Sequence, residues 1–464
     1  MAELSLDDLH QVYRGTGSPP YPPELMLAIA LLEILRGDTS PARWHQDAGT
    51  REQCQLLGQG ITPSRTAWYD FRDRSGKFIE QVNQTIVGQA IDQKLIDPQE
   101  CALDGTFTAA AASRHKIFNL KQINRRLNKL KRAIKLLDRP NKVASAKPLA
   151  AIPKWIAPTP DGRVEQLNRL RQAKRRMLEN ISKNRKKHSR HRRDESRMVI
   201  SPADIDAVIG RDKHKVLRPL YNTQFMTDCS SDVIVAFGVW SQANDNGTLA
   251  PMIKKTQEST GGRLRTVHAD SGYCSILDLK DCDSLCIDLY APVQDNTNQP
   301  GRKSGSGESQ IPSCDFAFEE STREMTCPGG FAMKLVSEVQ MPRADGRRVG
   351  ELRFEQSVEH CRDCPLSSRC LGGKAKRRTV SRQSDQAILD AQKQKMESPA
   401  GKRSQRLRGQ VIERRFADGK KHRGQGIQNG RGLARVKAEV GLLVVAQNTL
   451  TLWLLGNRGK TDTT

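Results

Sequence analysis

Three acidic residues sit in contexts that suit chemistry better than packing. Residues 265–273 read RTVHADSGY, where Thr266, Val267 and the small Ala269 fit a short buried strand and Ser271-Gly272 ends it. Asp270 then falls at the strand's carboxyl end, where open α/β sheets collect ligands. Upstream, Cys101-Ala102-Leu103-Asp104-Gly105-Thr106 repeats the arrangement: an apolar lead-in, an aspartate, then a residue that permits close approach. Downstream, Val411-Ile412-Glu413-Arg414-Arg415-Phe416 puts a glutamate on a helix whose apolar residues would hold it near a sheet. Each has a plainer alternative. An aspartate at such a turn often bonds only the backbone two residues on, and a glutamate among Lys and Arg is by default an exposed salt-bridge partner. Glu439, on the last helix, competes with Glu413 for the third place.

Three carboxylates drawn together repel, and without a cation at least one would be pushed to protonate. A divalent ion resolves this. Hard oxygen ligands and few protein donors suit Mg2+ or Mn2+, which keep coordination positions open for phosphate and water. Two such ions about 3.5 to 4 Å apart can stabilise the attacking and leaving oxygens of an in-line displacement at phosphorus. Water as the nucleophile cuts a strand, and a DNA 3'-hydroxyl joins strands; the acids alone do not choose between them.

The elements that must position these residues read as α/β, a mixed sheet covered by helices. Residues 1–98 form a helical N-terminal domain, with a helix after Pro22-Pro23 whose apolar face is Leu25, Ile29, Leu32 and Leu35. A later helix begins at Thr62-Pro63-Ser64, with Thr62 as cap, and a closing one at 78–95 turns Ile79, Val82, Ile86 and Ala90 inward. The sheet is built from residues 99–113 and 199–294: a strand with Asp104, a hairpin of 221–226 and 233–239, a helix at 248–256, the strand leading to Asp270, and a strand at 286–292. Residues 114–198 read as a basic helical-hairpin insertion, with Ile123, Leu127, Leu130, Ile134 and Leu137 on one helix facing Val164, Leu167, Leu170, Met177 and Ile181 on the other. Between them lies a connector at 139–162, and 183–193 is polybasic. Residues 295–400 form a loop-rich, Cys-rich insertion. Core helices follow at 401–456, the last using Leu433, Val436, Val440, Leu443, Val444, Leu450 and Trp453 as core cover, then a tail at 457–464.

Net charge is +24, which calls for a polyanionic partner, and nucleic acid is the first candidate. The apolar runs at 25–35 and 440–455 are too short or too interrupted to span a bilayer, so no membrane partner is expected and the protein should be soluble and cytoplasmic. Arg65, Arg72 and Arg74, with Trp68 and Tyr69, suit either a helix-turn-helix recognition element or the solvated face of a bundle. Arg408, Arg414, Lys420, Lys421 and Arg423 face the same polyanion from the helix that carries Glu413. Eleven cysteines, an odd number, do not make a secreted disulfide framework. Cys327, Cys361, Cys364 and Cys370 can close a tetrahedral thiolate site for structural Zn2+, although such cysteines can equally be small hydrophobes.

Taken in order, Leu103-Asp104-Gly105-Thr106, Tyr221-Asn222-Thr223-Gln224, Asn244-Asp245, Ala269-Asp270-Ser271-Gly272-Tyr273, the cysteines from 361 to 370, Glu413 with Phe416 and Lys420, and residues 431–448 resemble a bacterial insertion-sequence transposase of the DDE type. The resemblance covers most of the chain from about residue 20 and implies an RNase H-like catalytic core. It implies that Asp104, Asp270 and Glu413 bind two Mg2+ ions, that Lys420 contacts DNA near the cut, and that a nucleoid-associated dimer cleaves at terminal inverted repeats and transfers the ends to target DNA. Where related elements carry Tyr and Arg ahead of the Glu, this chain has Arg406 and Gly409, with Arg408 as the substitute. Two other readings stay open: a DNA-binding repressor without catalysis, and a nuclease that hydrolyses without joining.

Overall fold

The computed structural model describes residues 21–137, 152–187, 189, 192–294, 309–342 and 346–457. The expectations for residues 1–20, most of the 139–162 connector, most of the 301–309 loop and nearly all of the tail lie outside them. The chain divides into two compact units, Met1–Ala269 with Ser404–Thr464, and Asp270–Arg403.

The first unit opens with helices α1 (Pro23–Leu35), α2 (Pro41–Thr50), α3 (Glu52–Leu57), α4 (Arg65–Ser75) and α5 (Ile79–Asp92). Strand β1 (Glu100–Ala109) leads into α6 (Leu120–Leu137) and α7 (Pro160–Arg185). Then come β2 (Val208–Arg211), β3 (Leu217–Asp228), β4 (Ile234–Trp240), α8 (Leu249–Ser259) and β5 (Thr266–His268). In the second unit are α9 (Ile276–Ser284), β6 (Asp288–Tyr290), β7 (Ala317–Glu319), β8 (Glu324–Thr326), β9 (Ala332–Pro342), β10 (Arg348–Glu355), α10 (Val358–Arg362), α11 (Ser367–Cys370), β11 (Thr379–Gln383) and α12 (Gln386–Glu397). The last two helices are α13 (Pro399–His422) and α14 (Leu433–Asn457).

In the first unit β3 runs antiparallel to β1, β2 and β4, while β5 runs parallel to β1. The helices of residues 23–92 have no core of their own: Met26, Leu27, Trp44, Trp68, Phe71 and Phe78 pack with Tyr221, Phe225 and Phe237 of the sheet and Val440 and Val444 of α14. This shared core changes which face of α1 is inside. Met26, Leu27, Ile29, Ala30, Leu31 and Ile34 are buried, whereas Leu25, Leu32 and Leu35 are half-buried, because both α14 and the α2–α4 helices pack on α1. Ser64, not Thr62, caps α4, its hydroxyl accepting from Ala67 N at 3.2 Å. Serine directly ahead of the first helical residue satisfies the orphan N–H, and Pro63 is left outside the helix.

The α6–α7 hairpin buries Ile123, Leu127, Leu130, Leu170, Met177 and Ile181 as the periodicity predicts, with Ile134 and Leu167 packed at its margin. Val164 is exposed instead, one turn into α7, which starts earlier than expected because Thr159 caps it and Pro160 takes the first helical position. Arg126 lies over both the Phe118 ring at 4.1 Å and the Trp155 ring at 4.7 Å, a cation–π sandwich under the basic surface.

Among the described residues one helix, α14, is long and apolar enough to cross a membrane, yet 56% of its most apolar stretch is buried in the protein. Its polar residues are used internally. Asn448 Oδ1 accepts from Ile234 N at 2.8 Å and Nδ2 donates to Ile234 O at 2.8 Å, pairing the start of β4. Trp453, expected in the core, is exposed beyond this contact.

The second unit carries more regular structure than a loop-rich insertion. Strands β7 to β11 form an antiparallel meander in the order β11-β10-β9-β8-β7, with a small core of Ile311, Phe316, Met325, Met333, Leu352, Phe354 and Val380. Helix α9 packs on α12 through Ile276 and Leu389.

Candidate active site

Asp104 lies on the central strand β1, held by β3 on one side and β5 on the other. Its Oδ1 accepts from Gly105 N at 2.7 Å and its Oδ2 from Arg408 Nη1 at 2.6 Å. The carboxylate is half-buried. Helix α13 is pinned over this strand from below by Val411 and Ile412 against Ala102, and by Phe416, which stacks on Phe225 with ring centroids 4.8 Å apart. Phe225 is the β3 residue directly opposite Asp104. Further along the helix, Lys420 Nζ donates to the Thr106 hydroxyl. Two α13 side chains, Arg408 and Lys420, therefore reach the Asp104–Thr106 segment, and Glu413 lies between them in sequence with its carboxylate exposed. Burial, and then the nearby Lys213 ammonium, hold the Lys420 amine below its ordinary value. Lys213, on the β2–β3 turn, belongs to a basic group with Arg211 and Lys215 that the sequence reading did not single out.

Asp270 follows β5 and begins the second unit. Its Oδ1 accepts from Gly272 N at 2.7 Å, which is the turn-forming role. Two residues earlier, the buried His268 places Nδ1 2.6 Å from Ser404 Oγ on α13 and Nε2 2.8 Å from Glu100 Oε1 on β1. This Ser–His–Glu string, buried at His268 and Ser404 and open to solvent at Glu100, ties β5 and β1 to the start of the α13 segment in this unit. The two motifs at 221–224 and 244–245 also meet, because Asn222 Nδ2 and Gln224 Nε2 donate to the same Asp245 oxygen at 2.8 and 2.9 Å.

Glu439 is placed differently. Its side chain is 7% exposed, accepts from Asn429 N at 2.9 Å and lies 3.5 Å from Arg72 Nη1. Burial pushes the carboxyl up to about 7 against the pull of that N–H and of Arg72.

The predicted DNA-facing cations differ in exposure. Arg65, Arg74 and Lys421 are exposed. Arg72 is buried between Asp73 and Glu439 and lies over the Tyr69 ring. Arg408 pairs with Asp104, exposed Arg414 pairs with Asp232 at 3.1 Å, and Arg423 pairs with Asp418 while donating to Leu35 O.

Among the described residues, the set of acidic, His or Cys ligand atoms that lie within 4.8 Å of one another is Glu33, Asp38 and Asp47, in the N-terminal helices. Arg36, Arg43 and Arg51 pair with these three at 3.4, 3.8 and 3.1 Å, and burial, then Asp47, raises the Glu33 carboxyl. The group is a packed ion-pair cluster.

Residues 326–453 match the family described as a transposase DDE domain. The matched stretch contains Glu413, Lys420 and the cysteines at 327, 361, 364 and 370, and lies downstream of Asp104 and Asp270. It supports a transposase function in general, and the mixed α/β architecture is compatible with an RNase H-like core. No curated protein matches the chain.

Proposed function

We propose that the protein is an insertion-sequence DNA transposase that cuts at the terminal inverted repeats of its element and joins the 3'-hydroxyl ends to target DNA. The observation that carries this reading is the bridging of α13 to the middle of β1: Arg408 on Asp104 and Lys420 on Thr106, with Glu413 between them in sequence. Asp270 joins this reading by its sequence context, two residues past the end of β5.

The residues fit a divalent ion by their chemistry. Asp104, Asp270 and Glu413 offer hard carboxylate oxygens, and one Asp104 oxygen already holds a cationic group at 2.6 Å. These three would hold Mg2+ or Mn2+, which supplies Lewis-acid stabilisation of phosphate oxygens when bound. The chain's own groups do the rest. Lys420, whose amine burial holds below its ordinary value, would be stabilised in its charged form beside a phosphate, and Arg414 and Lys421 extend a positive face along the same helix. Arg65 and Arg74 present a second positive face for the element end, and a dimer on nucleoid DNA would bring two ends together.

A second reading has its own observation. The Asp104 carboxylate is ion-paired and that of Asp270 is bonded in its turn, as they would be in a silent DNA-binding repressor. Incubating the purified protein with Mg2+ and a supercoiled plasmid carrying the gene's native flanks separates the readings. Flank cleavage with joined product, absent in Asp104→Ala, supports the transposase. Cleavage without joining indicates a nuclease, and binding alone, equal in both proteins, indicates the repressor.

A further inference from the structure

The second unit has a thin interior. Seven buried side chains form the core of its five-stranded meander, and β9 leaves Leu335, Val336 and Val339 exposed. A sheet this small and this open gains little from apolar burial and calls for another constraint. One end of it gathers four thiols from three separate segments, with Cys327 just after β8, Cys361 and Cys364 on and after α10, and Cys370 at the end of α11.

The backbone around Cys327 is shaped to bring that thiol to the others. In Cys327-Pro328-Gly329-Gly330-Phe331 the chain closes on itself: Gly330 N donates to Cys327 O at 2.8 Å and Cys327 N to Phe331 O at 2.9 Å. Gly330 takes a left-handed φ of +82°, and a Cβ placed on Gly329 would stand 3.3 Å from Cys364 Sγ and 3.6 Å from Cys327 Sγ. Two sulfurs from distant segments thus flank one glycine, where a Cβ would press on the Cys364 sulfur and touch that of Cys327. The four cysteines line one cavity together with Ile311, Leu366 and Gln356.

The surrounding groups suit sulfur ligands as well. Gln356 Nε2 donates toward Cys327 Sγ at 3.7 Å. Arg378 fixes the neighbouring loops by donating to Cys370 O at 3.0 Å and Ile311 O at 2.7 Å. His360, the nearby competitor as a ligand, stacks on Phe331 with centroids 4.4 Å apart. All eleven cysteines are free thiols, so no disulfide claims these four. The sulfurs do not form a compact ligand set of the 4.8 Å kind found at Glu33, so the cradle is open and a bound ion would draw it closed.

We propose that Cys327, Cys361, Cys364 and Cys370 form a tetrathiolate site for one structural zinc ion that staples the Cys327 turn, α10 and α11 to the meander. Thiolates select a soft or borderline cation over the Mg2+ that carboxylates prefer, so the two metals occupy different places in the chain. The inference stands independently of the proposed DNA chemistry.

The test uses the full-length protein. After exposure to equimolar Zn2+ and removal of excess by gel filtration, elemental analysis is expected to find about one zinc per chain, with Mg2+ in excess failing to displace it. Replacement by Co2+ is expected to give thiolate-to-metal charge-transfer bands and the visible spectrum of a tetrahedral ion. Cys361→Ser with Cys364→Ser is expected to lose the metal, while Cys286→Ser with Cys314→Ser, at two exposed thiols elsewhere, keeps it. Gln356→Leu is expected to weaken zinc binding about tenfold. Wild-type protein that retains no zinc and shows no thiolate–cobalt bands would overturn the proposal, and needs no variant to fold.

Discussion

Glu413 and Glu439 stand on consecutive helices, each among cations in the sequence, and the fold treats them in opposite ways. Glu413 is exposed on α13, between Arg408 and Lys420 in sequence, whereas Glu439 is sealed behind Arg72 and the Asn429 N–H. The difference lies in what surrounds each helix. Helix α13 has apolar residues enough for one face, and α14 is buried nearly all round through its middle. An acid on the first can meet solvent, metal or phosphate; an acid on the second must be paired or neutral.

The strongest way to break this comparison is to neutralise both. Glu413→Gln, like Asp104→Asn, is expected to lower DNA cleavage by about 10^3-fold or more while leaving DNA affinity within a few-fold, as measured by strand-cleavage and gel-shift assays. Glu439→Gln is expected to leave cleavage chemistry intact; a loss equal to that of Glu413→Gln would move the third ligand to α14. The next effect is on stability. Arg72→Ala strands a buried carboxyl and is expected to cost about 3 kcal/mol in denaturant unfolding, whereas Lys77→Ala, five residues on and exposed, should change stability by less than about 0.5 kcal/mol.

The pH dependence sharpens the contrast. The folded Glu439 pKa of about 7 lies above its ordinary 4.5, so its contribution to stability is greatest below 4.5 and is lost as pH rises through 7. Glu439→Gln removes the titration. Between pH 5 and pH 8 the variant should lose less stability than the wild type, by up to about 3 kcal/mol, and parallel curves would show that Glu439 is not held in this way. The smallest effect concerns His268, whose two hydrogen bonds are expected to contribute about 1–2 kcal/mol. His268→Leu should lower both the melting temperature and cleavage, with His268→Gln recovering part of each; unchanged cleavage would show that the β1–β5–α13 tie does not position the acids.

Much of the frame was legible because its signals are local. Period-two apolar runs gave the β3–β4 hairpin, and heptad spacing gave the α6–α7 pair. What escaped depends on tertiary contact. The meander was hidden because β9 is exposed along most of its length, so its residues show no alternation to read. Trp453 and Val164 follow the apolar pattern of their helices yet lie past the ends of the partners that would cover them. At the candidate site, the acids showed through their strand and helix contexts. Their partners did not: Arg408 is one cation among many in its helix, and nothing near Lys213 in sequence indicates that Lys420 folds beside it.

The core that joins Met26, Leu27 and Trp68 to Val440 and Val444 sets an order on the chain's birth. Its first contributors leave the ribosome long before its last, with the whole second unit translated in between. Until α14 emerges, the early helices and the sheet expose apolar surface that has no permanent cover, and the Asn448 amide that pairs the start of β4 does not yet exist. Contacts so distant in sequence close slowly. The core under β3 and β4 is therefore closed only after α14 has left the ribosome, and the early helices wait on it for their permanent cover.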